Sequence, residues 1–296
     1  MRYSSRFFLY APLAGLLLLA AIAMMHWWIV ASALARRLDA VNGHEIMPGV
    51  RVSFAEKRIA GFPFRTDTIL KSLRVEIGET DGPVIWTSES FAAHELTYGR
   101  VQAIFEAAGK QSLSWTDPHG AQHRFVFLPG TFRASSILAD GRLVRFDSQI
   151  VDLDGAEFSA SEMQLHLRAT SSGVDVYFTL KNANSHGGYA ADLGPRVTNL
   201  VASGSLDHSS QLQSMLRGDG PPAAALEDWR TAGGVLTVKD LALTRRNTTM
   251  HFSGKLALDS HHDLVGVLAG AAPNSRKFSV LNFTGGRIAS SGVARP

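Results

Sequence analysis

From Phe7 to Ala35 the chain runs for 29 residues without an Asp, Glu, Lys or Arg, and no other stretch approaches this. A helix needs about 20 apolar residues to cross the hydrocarbon core of a bilayer, so this run spans one with residues to spare. The remainder of the 296-residue chain is then tethered to one side of a membrane by its N-terminus. A cleaved signal peptide is the competing reading. Arg2 and Arg6 make a positive n-region, and Ala31-Ser32-Ala33 or Ala33-Leu34-Ala35 offers small residues for cleavage. A signal peptide's apolar region is about 7–15 residues, shorter than this one. The bulky Trp27-Trp28 pair suits a membrane interface better than a cleavage region. Arg36 and Arg37 balance Arg2 and Arg6, so charge does not orient the span. The short N-terminal tail favours a single-pass protein with its N-terminus in and the following domain out.

Composition removes several chemistries. The chain has no cysteine, which excludes disulfides, thiolate nucleophiles and Cys-ligated metals. Of the formal net charge of +3, Arg2 and Arg6 supply two, leaving +1 beyond them. No Lys/Arg stripe accompanies it, so nucleic acid is not an expected partner.

Beyond Val50 the hydrophobic period is two. Leu73, Val75 and Ile77 alternate with Arg74 and Glu76, and Val174, Val176, Phe178 and Leu180 with Asp175, Tyr177 and Thr179. That pattern marks strands with one covered face. Asp81-Gly82, Asp140-Gly141 and Asp154-Gly155 fall at hairpin distances, and Asp117-Pro118-His119-Gly120 reads as a turn between two apolar runs. An antiparallel meander is expected. Helix is scarce: Ala31 to Val41 continues the anchor to Asn42-Gly43, and Ser209 to Arg217 and Ala223 to Arg230 are candidates, the latter started by Pro221-Pro222. The chain is expected to divide into residues 1–43 (tail, transmembrane helix and stalk), 44–192 (first part of the β domain), 193–234 (short helices and connector) and 235–296 (second part).

Candidate sites are few. His119 and His123 have helical metal-pair spacing but straddle a turn, and His261-His262-Asp263 reads as a hairpin tip. Asp152-Leu153-Asp154-Gly155-Ala156-Glu157 is acidic but lacks the glycine and glutamate positions of a calcium loop. No nucleophile elbow, phosphate loop or zinc helix occurs, so neither an enzyme nor a cofactor or metal site is expected. Arg58 to Arg65 is more distinctive. Pro63 lacks a donor and belongs at a sheet edge, with Phe62 and Phe64 pointing the same way. Phe62, Pro63 and Phe64, with Trp86 and Trp115, are the candidate residues of an apolar groove or sheet edge.

Gly61-Phe62-Pro63-Phe64-Arg65 after an N-terminal anchor resembles the domain of unknown function 2125 family of alphaproteobacterial membrane proteins. Further matches follow in order: Ser114 to Gly120, Arg133 to Ser136, Trp229 to Val238, Phe252 to Asp259 and Leu281 to Ile288. The strand Ser253 to Asp259, followed by Leu264 to Leu268, is also similar to strands of AsmA-like envelope proteins. These resemblances imply a location, the inner (cytoplasmic) membrane with a single pass and the C-terminal domain in the periplasm, and an architecture, and transfer no catalytic residue. The implied fold is mainly β: a transmembrane helix, then a large, curved antiparallel β-sheet with one or two short helices. The expected function is to bind or shield lipid acyl chains in the envelope, with membrane lipid as partner. The alternative is a non-enzymatic envelope scaffold pairing with another envelope protein through its sheet edges. A hydrolase would have to draw on His119, His123, His166 or Asp152.

Overall fold

The computed structural model describes residues 5–78, 82–97, 99–116, 120–187, 194–212, 220–271 and 278–294. Helix α1 (Ser5–Val41) takes in the uncharged run. Residues Pro12–Val41 are long and apolar enough to cross a membrane. The helix stops where Gly43 adopts φ +79°, a left-handed angle that suits glycine.

Among the described residues sixteen strands follow: β1 (His44–Met47), β2 (Val50–Ser53), β3 (Glu56–Ala60), β4 (Arg65–Ile77), β5 (Val84–Leu96), β6 (Gly99–Thr116), β7 (Gln122–Ala139) and β8 (Arg142–Gly155); then β9 (Phe158–Ala169), β10 (Gly173–Ser185), β11 (Arg196–Asp207), β12 (Leu236–Arg245), β13 (Thr248–Leu258), β14 (Leu264–Ala271), β15 (Phe278–Thr284) and β16 (Arg287–Ala294). They form one sheet in sequence order, every pairing antiparallel. Strands β2 and β3 share one edge of β4, β2 beside Arg74–Ile77 and β3 beside Asp67–Lys71. Helix α2 (Pro222–Thr231) interrupts the strands, with Pro222 in its first turn and Gly233 at φ +78° just past its end.

The expected meander is present. Asp140 and Gly141, both at positive φ, make a tight turn between β7 and β8. His261-His262 lies in the turn between β13 and β14, as read. Asp81, residues 117–119 and the later part of the Ser209 to Arg217 helix lie outside the described residues. Within 193–234, which the sequence marks as a connector, β11 is a full strand pairing with both β10 and β12. The sheet therefore runs unbroken across that segment.

Open sheets rarely exceed about 10 strands without curling, and this one curls. Along the sheet, β2 and β11 are eight strand spacings apart, which in a flat sheet is about 38 Å. Yet the turn before β2 touches the start of α2: a Cβ on Gly49 would lie 3.1 Å from the Pro221 Cβ. The far end of α2 is pinned to β11, because the Trp229 indole donates to the Asp207 carbonyl at 2.7 Å. Those eight residues of helix span only about 12 Å. Aromatic contacts agree, since Trp86 of β5 reaches Phe132 of β7, and Phe125 of β7 reaches Phe158 of β9, both with centroids 6.5 Å apart across an intervening strand.

Candidate functional site

Strand register assembles an apolar row on one face of the sheet. Leu70 of β4 pairs with Phe91, Phe91 with Ala107, Ala107 with Phe132 and Phe132 with Ile150. The row continues through Met163, Leu180, Leu200 and Leu243 to Met250 of β13. Ten consecutive strands thus contribute an apolar residue at one level. Leu70, Ile150 and Leu180 are buried; Phe91, Phe132 and Met163 are half-buried. One step along the strands the row is shallower where Ala93, Ala134 and Ser148 stand beside Phe105 and Leu165. Trp86 belongs to this face, packed edge-on to Phe91 at 5.8 Å. The opposite face carries the polar partners: Lys181 donates to Glu162 at 2.6 Å, and Asp147 binds His166 at 2.6 Å.

Helix α1 delivers the chain to the start of that row. Its last turns are fastened to the first strands rather than hinged. The Lys57 ammonium donates to the Ala35 carbonyl at 2.7 Å and pairs with Asp39. Asn42 pairs with Phe54 like a strand residue, its amide donating to the carbonyl at 3.1 Å and its oxygen accepting from the Phe54 N–H at 2.9 Å. Leu38 packs on the buried cluster of Phe54, Leu70 and Leu73, which Trp86 also joins. Lower on the helix, a cleft of about 280 Å³ lies between Ile29, Val30, Ala33, Leu34 and Arg37 of α1 and Thr66, Glu95, Leu96 and Thr97 of the sheet.

Phe62, Pro63 and Phe64 are not on an edge strand, as their alternation suggested. They form the turn between β3 and β4, closed by the Arg65 N–H donating to the Gly61 carbonyl at 3.0 Å. Gly61 sits at φ +96°, and a Cβ there would lie 2.7 Å from the Arg65 carbonyl, so the chain must turn at this residue and only glycine fits. The Phe62–Pro63 peptide is cis. The Phe62 ring meets Trp27 of α1 edge-on at 5.7 Å, and the Trp27 indole donates to the Arg65 carbonyl at 2.9 Å. The Phe64 carbonyl accepts from both the N–H and the hydroxyl of Thr97, each at 3.0 Å.

Trp115 lies near the end of β6, two residues beyond Leu113, the cross-strand partner of Trp86. It stacks on its cross-strand partner His123, centroids 5.4 Å apart, at the rim of a polar recess of about 610 Å³. Arg74 and Arg124 flank that recess and Thr87, Ser112 and Ser114 line it, with Arg124 Nε donating to the Ser112 hydroxyl at 3.2 Å. His119 lies outside the described residues. His166 is engaged with Asp147 and Gln164.

A feature the sequence concealed is the buried Asp67, which joins His94 at 2.6 Å and Arg65 at 2.8 Å directly behind the Phe62 turn. Burial pushes its carboxyl up, but the hydrogen bonds and charges of His94 and Arg65 outweigh that and hold it below its ordinary value. No periodicity or motif links residues 27 positions apart. At the other end, Arg230 and His262 hold the Glu227 carboxyl down at about 2, tying α2 to the β13–β14 turn. Among the described residues no three His, Asp or Glu side chains converge as a metal site.

A family model, DUF2125, described as an uncharacterized protein conserved in bacteria, matches residues 27–280. No curated protein matches, and no solved structure matches. The resemblance to AsmA-like strands thus has no match beside it.

Proposed function

The chain belongs to the DUF2125 family, and we propose that it is a membrane-anchored shield for lipid acyl chains in the bacterial envelope, its sheet on the periplasmic side of the inner membrane. The observation that carries this reading is the ten-strand apolar row from Leu70 to Met250, on a curled sheet, beginning where α1 ends. An alkyl chain laid on such a face gains about 0.8 kcal/mol for each buried CH₂. A dozen methylenes would suffice for useful affinity once the losses on association are met. Trp86 and the recessed strip at Ala93, Ala134 and Ser148 are where a chain would lie.

The test is extraction of the full-length protein from membranes, exchange into detergent, and mass spectrometry of what remains bound. Expected is lipid in stoichiometric amount, lost when Ala134 and Ser148 are replaced by Phe in a protein that still melts cooperatively. Stoichiometric lipid in both proteins, or in neither, refutes the reading.

A second reading rests on the far end of the sheet. Strand β16 has no strand on its outer side among the described residues, and such an edge can add a strand from a partner. In that case crosslinking from β16 captures a protein at a fixed register, and the apolar face holds no lipid.

A further inference from the structure

We infer that the Gly61–Arg65 turn is a second membrane contact, its Phe62 and Phe64 rings entering the interfacial zone of the bilayer that α1 crosses. The inference rests on α1 being a retained anchor.

Depth follows from the helix. Residues Phe7 to Met25, at 1.5 Å per residue, are about 29 Å long and fill the hydrocarbon core. Trp27 and Trp28 then stand at headgroup level, where indoles concentrate. The turn is bound to that level by the Trp27–Phe62 ring contact and by the indole hydrogen bond to the Arg65 carbonyl. It cannot ride higher without breaking both.

The exposed surface fits the same environment. Phe64 is 63 % exposed and Phe62 50 %, and Phe64 is the most exposed large apolar side chain outside α1 among the described residues; Trp28 beside them is 66 % exposed. Aromatic rings left in water cost burial energy that an interface returns. Two carbonyls of the turn are already taken, that of Gly61 by Arg65 and that of Phe64 by Thr97. The turn can thus meet headgroups without stranding either group. Arg65, the charge nearest the tip, is neutralised by Asp67. Helix and turn together make two feet, and the cleft between α1 and Leu96 opens directly above them.

The absence of cysteine makes the test direct. Single cysteines replacing Leu19, Phe64 or Gln122 are labelled with an environment-sensitive fluorophore in the full-length chain. Each protein is reconstituted into phosphatidylcholine–phosphatidylglycerol vesicles containing nitroxide-bearing lipid. The expected result is loss of emission at 64 comparable with that at 19, and none at 122, at the opposite end of the strands. Quenching at 19 but not at 64 overturns the second contact and leaves the anchor standing. An unquenched label at 19 overturns the anchor and the inference with it. A label at 64 that shifts to the blue without quenching places protein against the tip and also overturns it.

Discussion

Replacing Gly49 and Pro221 together with cysteine should form a disulfide that no flat sheet could make. The Cβ built at Gly49 lies 3.1 Å from that of Pro221, against about 3.8 Å for an unstrained bridge, a gap that small backbone shifts can open. The bridge closes a loop of about 170 residues, for which the chain-entropy estimate is about 5 kcal/mol. Gly49 sits at φ +71°, and a side chain there costs about 1–2 kcal/mol. The net stabilisation should therefore be about 2–4 kcal/mol, the ordinary range for a bridge. Mild oxidation followed by non-reducing electrophoresis reads its formation, and urea unfolding with and without reductant reads its energy. Either single cysteine alone should show no intramolecular shift. If the double variant stays reduced under oxidant while remaining folded, the turn before β2 and the start of α2 are not neighbours. The curl argued from that contact would then fail.

Other outcomes follow from single sites. Leu180→Ala removes a side chain that is 3 % exposed in the middle of the apolar row and should cost about 2–5 kcal/mol in chemical unfolding; under 1 kcal/mol would mean the site is loosely packed. Gly61→Ala forces a Cβ to within 2.7 Å of the Arg65 carbonyl at φ +96°, so the turn should loosen by about 1–3 kcal/mol, seen as faster proteolysis between β3 and β4. Asp67→Asn should cost about 1–3 kcal/mol at neutral pH. Because the folded carboxyl titrates below its free value of 3.8, the wild-type advantage is complete above that value and disappears as pH falls through the lowered one. An advantage that instead grows on acidification would refute the assignment of Asp67 as the ionised partner.

The local grammar of the fold was open to reading. Alternation at Leu73–Ile77 and Val174–Leu180, the Asp140-Gly141 turn and the Pro222 helix start are each written in a few adjacent residues, because strand period, turn angle and helix start are local properties. Curl and junction were not. Which residues share a lateral row depends on register, and register here shifts at irregularities such as Ala107/Gln111 and Ser203/Gly204 that leave no periodic trace. Phe62 and Phe64 illustrate the same limit: their spacing suited a strand, but Gly61 and the Arg65–Gly61 hydrogen bond make a turn that sets Phe62 against a helix more than 30 residues earlier. Trp115 and Trp86 look equivalent in sequence, and register sets Trp115 two residues beyond Leu113, the cross-strand partner of Trp86.

Strand order carries one more consequence, for how such a sheet is made. From β4 to β15 each strand pairs with the strand before it and the strand after it. No pairing waits for a distant segment, so loop-closure entropy stays small throughout. Such a chain can therefore zip hairpin by hairpin from its N-terminal side. The joint at Lys57 and Asn42 is complete before β5 appears, which gives the first hairpin a template and a register. Growth by accretion also means that length is adjustable: a hairpin added or lost at the C-terminal side changes how far the row extends without disturbing the joint at its base.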